Sequence, residues 1–202
     1  MTSLDELAAR LGRLRFVELR LFEVLGAWVA LTPEPQVKAV FAEQCYHHAW
    51  HGELWGDRFP QGYGHDLVAA TAEGGAPLGG WLDQLAALEG TVERLAGLYR
   101  VVVPRLALAY RRWRSEADRV ADGPLLRWLA MVSSDETADW QQGERLLQQL
   151  LVGPESVERA AAAQVRIETS VVASFAAHGD LLHRHPSAER RSAGDAPSGG
   201  SS

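Results

Sequence analysis

The sequence has little cysteine and no long apolar run. Cys45 is the single cysteine among 202 residues, which excludes an internal disulfide framework and a cysteine-rich zinc site. No uninterrupted apolar stretch approaches the roughly 20 residues that span a bilayer, and charges recur every few positions through residues 1–31. We therefore expect no membrane association and predict a soluble, cytoplasmic protein.

Positive charge is also scarce. The formal net charge is −6, and Lys38 is the single lysine. Because nucleic-acid affinity comes mainly from phosphate neutralisation, this balance argues against a nucleic-acid partner. Hydrophobic residues make up 47% of the chain, enough for one sizeable core. We predict a single domain over residues 1–185, followed by a small, polar and disordered tail over residues 186–202.

Apolar residues recur at alternating intervals of three and four almost throughout, which is typical of amphipathic helices. Ser3 and Glu6 fit a capping box at the first helix start. Pro33 and Pro35 separate the first two helices, and Pro104 predicts a kink in the third. The predicted helices cover residues 3–31, 34–56, 81–119, 124–152 and 155–182, and the third could be interrupted at Gly90.

The connections between the predicted helices indicate their topology. Short turns join the first helix to the second and the third to the fourth. A long glycine-rich segment over residues 57–80 links the two pairs and could be a plain crossover or a mobile lid. This layout predicts an all-α, antiparallel four-helix bundle with one additional C-terminal helix. That last helix could pack on its own bundle, form a homodimer or bind a partner protein through the stripe Val157, Ala161, Val165, Val172 and Phe175.

Several core-facing positions carry polar residues where apolar ones are expected. Glu18 occupies such a position on the first helix, His48 and His51 do so on the second, and Glu136 and Asp139 on the fourth. A rival stripe on the second helix contains Glu43 and His47, which are less favoured candidates. Tyr99 lies about one turn away on the third helix and could donate a hydrogen bond to a ligand. Each group falls near the middle of its helix, so the bundle would gather them in one layer.

A layer of buried carboxylates requires a compensating charge. Carboxylates in an apolar core repel one another and raise each other's pKa unless they are protonated, paired or bound to a cation. One or two divalent ions would leave Glu18, Glu136 and Asp139 near neutrality. Imidazole with carboxylate ligands suits iron, manganese or zinc. Alternatively, histidine–carboxylate hydrogen bonds could close a metal-free network that fixes the helix register.

This arrangement resembles the ferritin-like superfamily over about residues 3–152. The resemblance implies a four-helix bundle with a di-iron or di-manganese centre, held by one Glu from each of two helices and Glu-x-x-His from each of the others. Glu18 takes the place of the first-helix glutamate. The second helix has His48-Ala49-Trp50-His51 where Glu-x-x-His is expected, and the fourth has Glu136-Thr137-Ala138-Asp139. The third helix has no carboxylate near its middle.

Two functions follow as hypotheses. The first is a ferritin-like non-haem iron or manganese protein, an oxidoreductase or oxygenase with a small-molecule substrate that the sequence does not specify. Its expected metal ligands are Glu18, His48, His51, Glu136 and Asp139. The second is a metal-free helical interaction or structural protein, whose buried histidine–carboxylate layer sets the helix register.

Overall fold

The first two helices form a hairpin whose ends follow from local sequence. The structure is a computed structural model that describes residues 3–62, 64–120 and 122–182. Helix α1 (Leu4–Leu31) begins at the predicted capping box, in which Ser3 and Glu6 each accept the backbone N–H of the other. Three residues, 32–34, separate α1 from helix α2 (Pro35–Asp57). A proline stands in the first turn of α2, where its missing N–H costs nothing. The two helices pack along much of their length.

Every regular element in the described ranges is helical, which confirms the all-α prediction. The remaining helices are α3 (Leu67–Gly75), α4 (Gly79–Ala86), α5 (Thr91–Gly97), α6 (Val103–Glu116), α7 (Gly123–Leu150) and α8 (Pro154–His178). A π-helical turn, Leu98–Val102, joins α5 to α6. Within the described part of the chain, no helix combines the length and apolar character needed to cross a bilayer.

The helix predicted over residues 81–119 is interrupted before Gly90, as one interpretation of the sequence allowed, and it divides further into α4, α5, the π turn and α6. Gly90 adopts an extended conformation and precedes α5. Pro104 lies in the first turn of α6 and cannot donate a backbone hydrogen bond. The backbone therefore widens just before it: the N–H of Val103 bonds to the carbonyl of Leu98, five residues back. The Arg105 guanidinium donates to the carbonyl of Val101 at 2.8 Å.

The segment between α2 and α4 is fastened to the protein through α3, which packs on α1. The approach is close enough that a Cβ on Gly12 of α1 would lie 2.4 Å from the carbonyl oxygen of Ala70. Arg15 of α1 also donates to the hydroxyl of Thr71 on α3, at 3.3 Å. The segment 57–80 is therefore a packed crossover in its helical part.

This contact predicts opposite effects for two identical substitutions in α1. Gly12→Ala should lower the free energy of unfolding by about 1–3 kcal/mol, because the new methyl group collides with the backbone of α3. Gly26→Ala should raise it by about 0.5–1 kcal/mol, because its nearest neighbour, Cys45 Sγ, would be 3.5 Å away and alanine favours the helix. Urea unfolding of both variants tests the packing of α3. Equal effects would contradict it.

Helix α8 packs on α4 and α5 through a face other than the predicted stripe. Its buried residues are Ala160, Ala163, Ile167 and Val171. The predicted Val157, Ala161, Val165 and Val172 are exposed, and Phe175 is half-buried. A partner or homodimer on that stripe stays a prediction.

The chain after α8 is anchored to α1. Arg13 donates to the carbonyls of Gly179 and Asp180, at 3.3 and 2.7 Å. Leu181 and Leu182 are buried. The helix predicted over 155–182 therefore ends four residues earlier, and the tail predicted over 186–202 lies outside the described residues.

Candidate metal site

Three helices direct polar side chains into the interior at one level. Glu18 lies four residues after Leu14 and three before Leu21, and all three are fully buried, so the helical period places the carboxylate on the core-facing side of α1. The same spacing places His48 and His51 among the buried residues of α2. On α7, the buried Glu136 follows Val132 at an interval of four.

These four side chains meet in what we term the Glu–His cluster: Glu18, His48, His51 and Glu136. His48 Nδ1 lies 2.6 Å from Glu18 Oε2 and 3.6 Å from Glu136 Oε1. His51 Nδ1 lies 3.6 Å from Glu18 Oε2 and 3.3 Å from Glu136 Oε1. One potential ligand atom from each residue lies within 4.8 Å of the others. The structure thus brings together four of the five residues expected as the main metal ligands.

Glu18 is fully satisfied within the protein. The imidazole of His48 bonds to one carboxylate oxygen, and the hydroxyl of Tyr110 on α6 donates to the other. The indole N–H of Trp55 in turn donates to the Tyr110 oxygen at 3.0 Å. Burial alone would raise the pKa of Glu18, but His51 and His48 outweigh it and lower the pKa to about 2. Glu18 is therefore ionised at neutral pH.

Glu136 is as fully buried as Glu18, but the surroundings of its carboxylate differ. Both of its carboxylate oxygens are buried, and neither has a hydrogen-bond partner among the described residues. Burial raises the pKa of Glu136, the positive charge on His48 lowers it, and the negative charge on Glu18 raises it again, so that the net direction is upward. A buried carboxylate without a donor is costly, so the cluster could hold a cation beside Glu136.

His51 connects the cluster to the protein exterior. Its Nε2 lies 3.3 Å from a carboxylate oxygen of Asp135, whose side chain is about one-third exposed. Burial would lower the pKa of His51, but the charge of Glu18, the hydrogen bond to Asp135 and the nearby carboxylate of Glu136 raise it well above 6.5. The same anions raise the pKa of His48: burial lowers it, and the charges of Glu136 and Glu18 more than compensate. In the metal-free protein both imidazoles thus favour the protonated form.

The other expected site residues lie outside the cluster. Asp139 pairs with His47: its Oδ2 lies 2.9 Å from His47 Nδ1. The Tyr99 hydroxyl donates to Gln44 at 2.6 Å and does not contact the Glu–His cluster through any described hydrogen bond. Glu43 is exposed. The structure therefore does not bring Asp139, His47 or Glu43 into the Glu–His cluster, and the expected hydrogen bond from Tyr99 goes to Gln44. Asp139, three residues after Glu136, is about one turn further along α7 and meets a different histidine.

Sequence reasoning missed two residues that complete the site. The spacing of α6 could have identified Tyr110 as a core residue, because it lies four residues after Leu106 and three before Trp113 on the core-facing side. A tyrosine at such a position is usually expected to pack in the core. Its hydroxyl contact with Glu18 becomes visible only when α1 is placed beside α6. Asp135 is partly exposed and gives no signal, since only the neighbouring helix shows that it reaches His51.

Tyr110→Phe should lower the free energy of unfolding of the metal-free protein by about 1–3 kcal/mol. The change removes the donor to one oxygen of Glu18 and leaves the buried Trp55 N–H without its acceptor. Tyr46→Phe is the control, because Tyr46 is on α2 and largely exposed. Chemical denaturation of both variants measures the difference. Equal stabilities would show that the Tyr110 hydroxyl contributes nothing to holding Glu18.

The donor set of the Glu–His cluster fits a divalent cation. Ligands about 2.1 Å from an ion are at most about 4.2 Å apart, so atoms within 4.8 Å of one another need to move only slightly. Two carboxylates match the charge of one divalent ion, and neutral imidazoles complete four ligands. Asp135 would hold His51 in the orientation that ligation requires, as carboxylates commonly do for metal-bound histidine.

Comparison with known proteins gave no match: no family model fits the chain, and neither the curated proteins nor the solved structures contain a significant relative. The interpretation of the site therefore depends on its own geometry.

Proposed function

We propose that this protein binds one divalent metal ion through Glu18, His48, His51 and Glu136, and that it is a non-haem metal oxidoreductase. The observation that carries the proposal is Glu136: a fully buried carboxylate that faces two imidazoles and a second carboxylate and that has no hydrogen-bond donor in the described part of the chain. A cation bound there would replace the missing donors of Glu136.

One ion is favoured over two by charge and by ligand supply. Glu18 and Glu136 together carry −2, which one divalent ion neutralises and two would exceed. The helix that would supply further ligands to a second ion, α6, contributes the Tyr110 hydroxyl, whose pKa is raised well above 10 by burial and by the nearby charges of Glu18 and Glu136. That hydroxyl stays protonated and holds Glu18 in place. We therefore propose a mononuclear site.

Oxygen and nitrogen ligands without thiolate favour iron or manganese, in keeping with the ferritin-like resemblance. We propose the corresponding architecture as well, a four-helix bundle made of α1, α2, α5 with α6, and α7. Bound iron or manganese would supply one-electron chemistry for an oxidoreductase or oxygenase reaction. The protein would supply the surroundings: Tyr110 orients Glu18, Asp135 orients His51, and the half-buried Trp50 covers the His51 ring with ring centroids 5.7 Å apart.

The alternative is a metal-free protein in which the buried layer only sets the helix register. That role calls for a closed network in which each buried polar group has a partner. Glu18 meets the requirement, whereas the two oxygens of Glu136, His48 Nε2 and His51 Nδ1 do not. This observation favours the metal site.

Metal analysis of untagged protein tests the proposal. After growth with iron or manganese, we expect about one ion per chain in the wild type and in His47→Ala, and a loss of bound metal in His51→Ala. His47 is the matched control because it is a neighbouring histidine on α2 that pairs with Asp139 outside the cluster. Wild-type protein that stays metal-free, and that binds neither Fe²⁺ nor Mn²⁺ on titration, would refute the proposal.

A further inference from the structure

A surface cavity of about 540 Å³ lies between the C-terminal part of α2 and the start of α7. Its walls include the indoles of Trp50 and Trp128 and the thioether of Met131. Two guanidinium groups, Arg58 and Arg127, complete it. The volume is in the range of small-molecule sites, and the mixture of aromatic surface with a few polar groups is typical of them.

The two arginines of this cavity have no anionic partner within residues 3–62, 64–120 and 122–182. Both are exposed, and neither forms an ion pair with any residue in the described ranges. Arg58 lies over the ring of Trp128, with its guanidinium carbon 4.9 Å from the ring centroid, which aligns a flat apolar surface with a fixed positive charge. A neighbouring surface depression shares Arg127 and adds Arg114 and Arg119. In a chain of net charge −6, this is a local concentration of positive charge without carboxylates among the described lining residues.

The cavity adjoins the Glu–His cluster. Trp50 forms part of its wall, and the Trp50 ring packs on His51, which belongs to the cluster. Met131 is one helical turn before Asp135 on α7, and Asp135 bonds to the outer nitrogen of the same imidazole. His51 therefore stands between the cavity wall and the two buried carboxylates.

We infer that this cavity binds a small organic anion with a flat apolar body, and that such a molecule is the substrate of the site. The flat body lies against Trp50 and Trp128, and a carboxylate pairs with Arg58 and Arg127, where a planar guanidinium suits a carboxylate in two-point contact. The role as substrate rests on the proposed metal function, whereas binding of the anion does not.

Binding is tested on metal-free protein with 2-naphthoate and its neutral isostere 2-naphthamide, using ligand-observed NMR titration. We expect the wild type to prefer the anion and the Arg58→Gln/Arg127→Gln double variant to bind it about tenfold more weakly, with amide binding unchanged. Arg145→Gln is the matched control. Arg145 is an exposed arginine on α7, about 27 Å beyond Arg127 along the helix axis, so this substitution should leave both affinities unchanged. Trp128→Ala should weaken both probes.

The outcomes separate the two levels of the inference. If the wild type fails to bind 2-naphthoate, or if the double variant binds it as well as Arg145→Gln does, the anion site is refuted, with thermal melts verifying that each variant is folded. The substrate role is tested by loading the wild type with Mn²⁺: we expect it to broaden the proton signals of bound 2-naphthoate, with Zn²⁺ as the diamagnetic control. Absence of broadening in Mn²⁺-loaded protein refutes the substrate role. A protein that takes up no metal refutes the proposed function and, with it, the substrate role, while the naphthoate titration still decides the anion site.

Discussion

Glu18→Leu and Glu136→Leu should both abolish metal binding and yet differ by several kcal/mol in the stability of the metal-free protein. The two glutamates are equally buried, but only Glu18 accepts hydrogen bonds, from Tyr110 and His48. Removing it strands both donors inside the protein, and we expect the free energy of unfolding to fall by about 3–5 kcal/mol.

The expected result for Glu136→Leu is a metal-free protein within about 1 kcal/mol of the wild type, or more stable. No described residue donates a hydrogen bond to Glu136, so its replacement leaves no described donor without an acceptor. Glu18 remains to balance one protonated imidazole. Removal of the Glu136 charge also takes away the largest influence that raises the pKa of His48, which favours the neutral imidazole there, so no uncompensated charge stays buried. The apolar replacement also removes the cost of burying a second carboxylate.

Urea denaturation at pH 8, together with metal titration of both variants, measures these effects. A closed, metal-free network would give a different pattern: Glu136→Leu would lose stability much as Glu18→Leu does, and the wild type would bind no metal. The comparison thus distinguishes the metal site from a layer that only sets the helix register.

The stability of the metal-free protein should decrease as the pH rises above 6.5, and bound metal should reverse this trend. The folded-state pKa values of His48 and His51 are raised above 6.5, so their contribution is fully present below 6.5 and is lost as the pH passes through the folded values. Glu136 also contributes stability that is lost as the pH rises above 4.5, because its folded-state pKa is raised. Glu18, with a pKa of about 2, contributes stability above 4.5 that is lost only as the pH falls toward 2.

Metal changes the sign because ligation requires unprotonated imidazoles, so that metal affinity increases over the same pH range. At a free metal concentration of 100 times Kd, the bound ion adds about 2.7 kcal/mol, or roughly 5–11 °C in Tm for a chain of this size. Thermal melts at pH 6.5 and 8.5, with Mn²⁺ or with a chelator, check both trends. A chelator-treated protein that becomes more stable with rising pH would contradict the assigned pKa directions.

The sequence predicted the cluster because its members interrupt an apolar pattern. Glu18 stands between Leu14 and Leu21 on the apolar face of α1, where helical periodicity predicts an apolar residue. Glu136 interrupts the apolar face of α7 in the same way. Helical periodicity also placed His48 and His51 on one face of α2. These inferences need only the period of a single helix.

The particular side-chain pairs that form between helices could not be predicted. Asp139 interrupts its apolar pattern as clearly as Glu136 does, and only the height of α2 beside α7 decides that it meets His47. Within the third predicted helix, the π turn over Leu98–Val102 stands just before Pro104 and changes the hydrogen-bond register of the backbone. Such an adjustment depends on packing that no single-helix pattern contains.

The close packing of α3 on α1 at Gly12 has a consequence for motion. Because the two backbones are in contact there, α3 cannot lift without exposing the side of α1 that faces it, and the amide hydrogens of both helices should exchange with solvent as one cooperative unit. The helical part of segment 57–80 would then move together with α1 and would not open as a hinged segment on the microsecond-to-millisecond timescale.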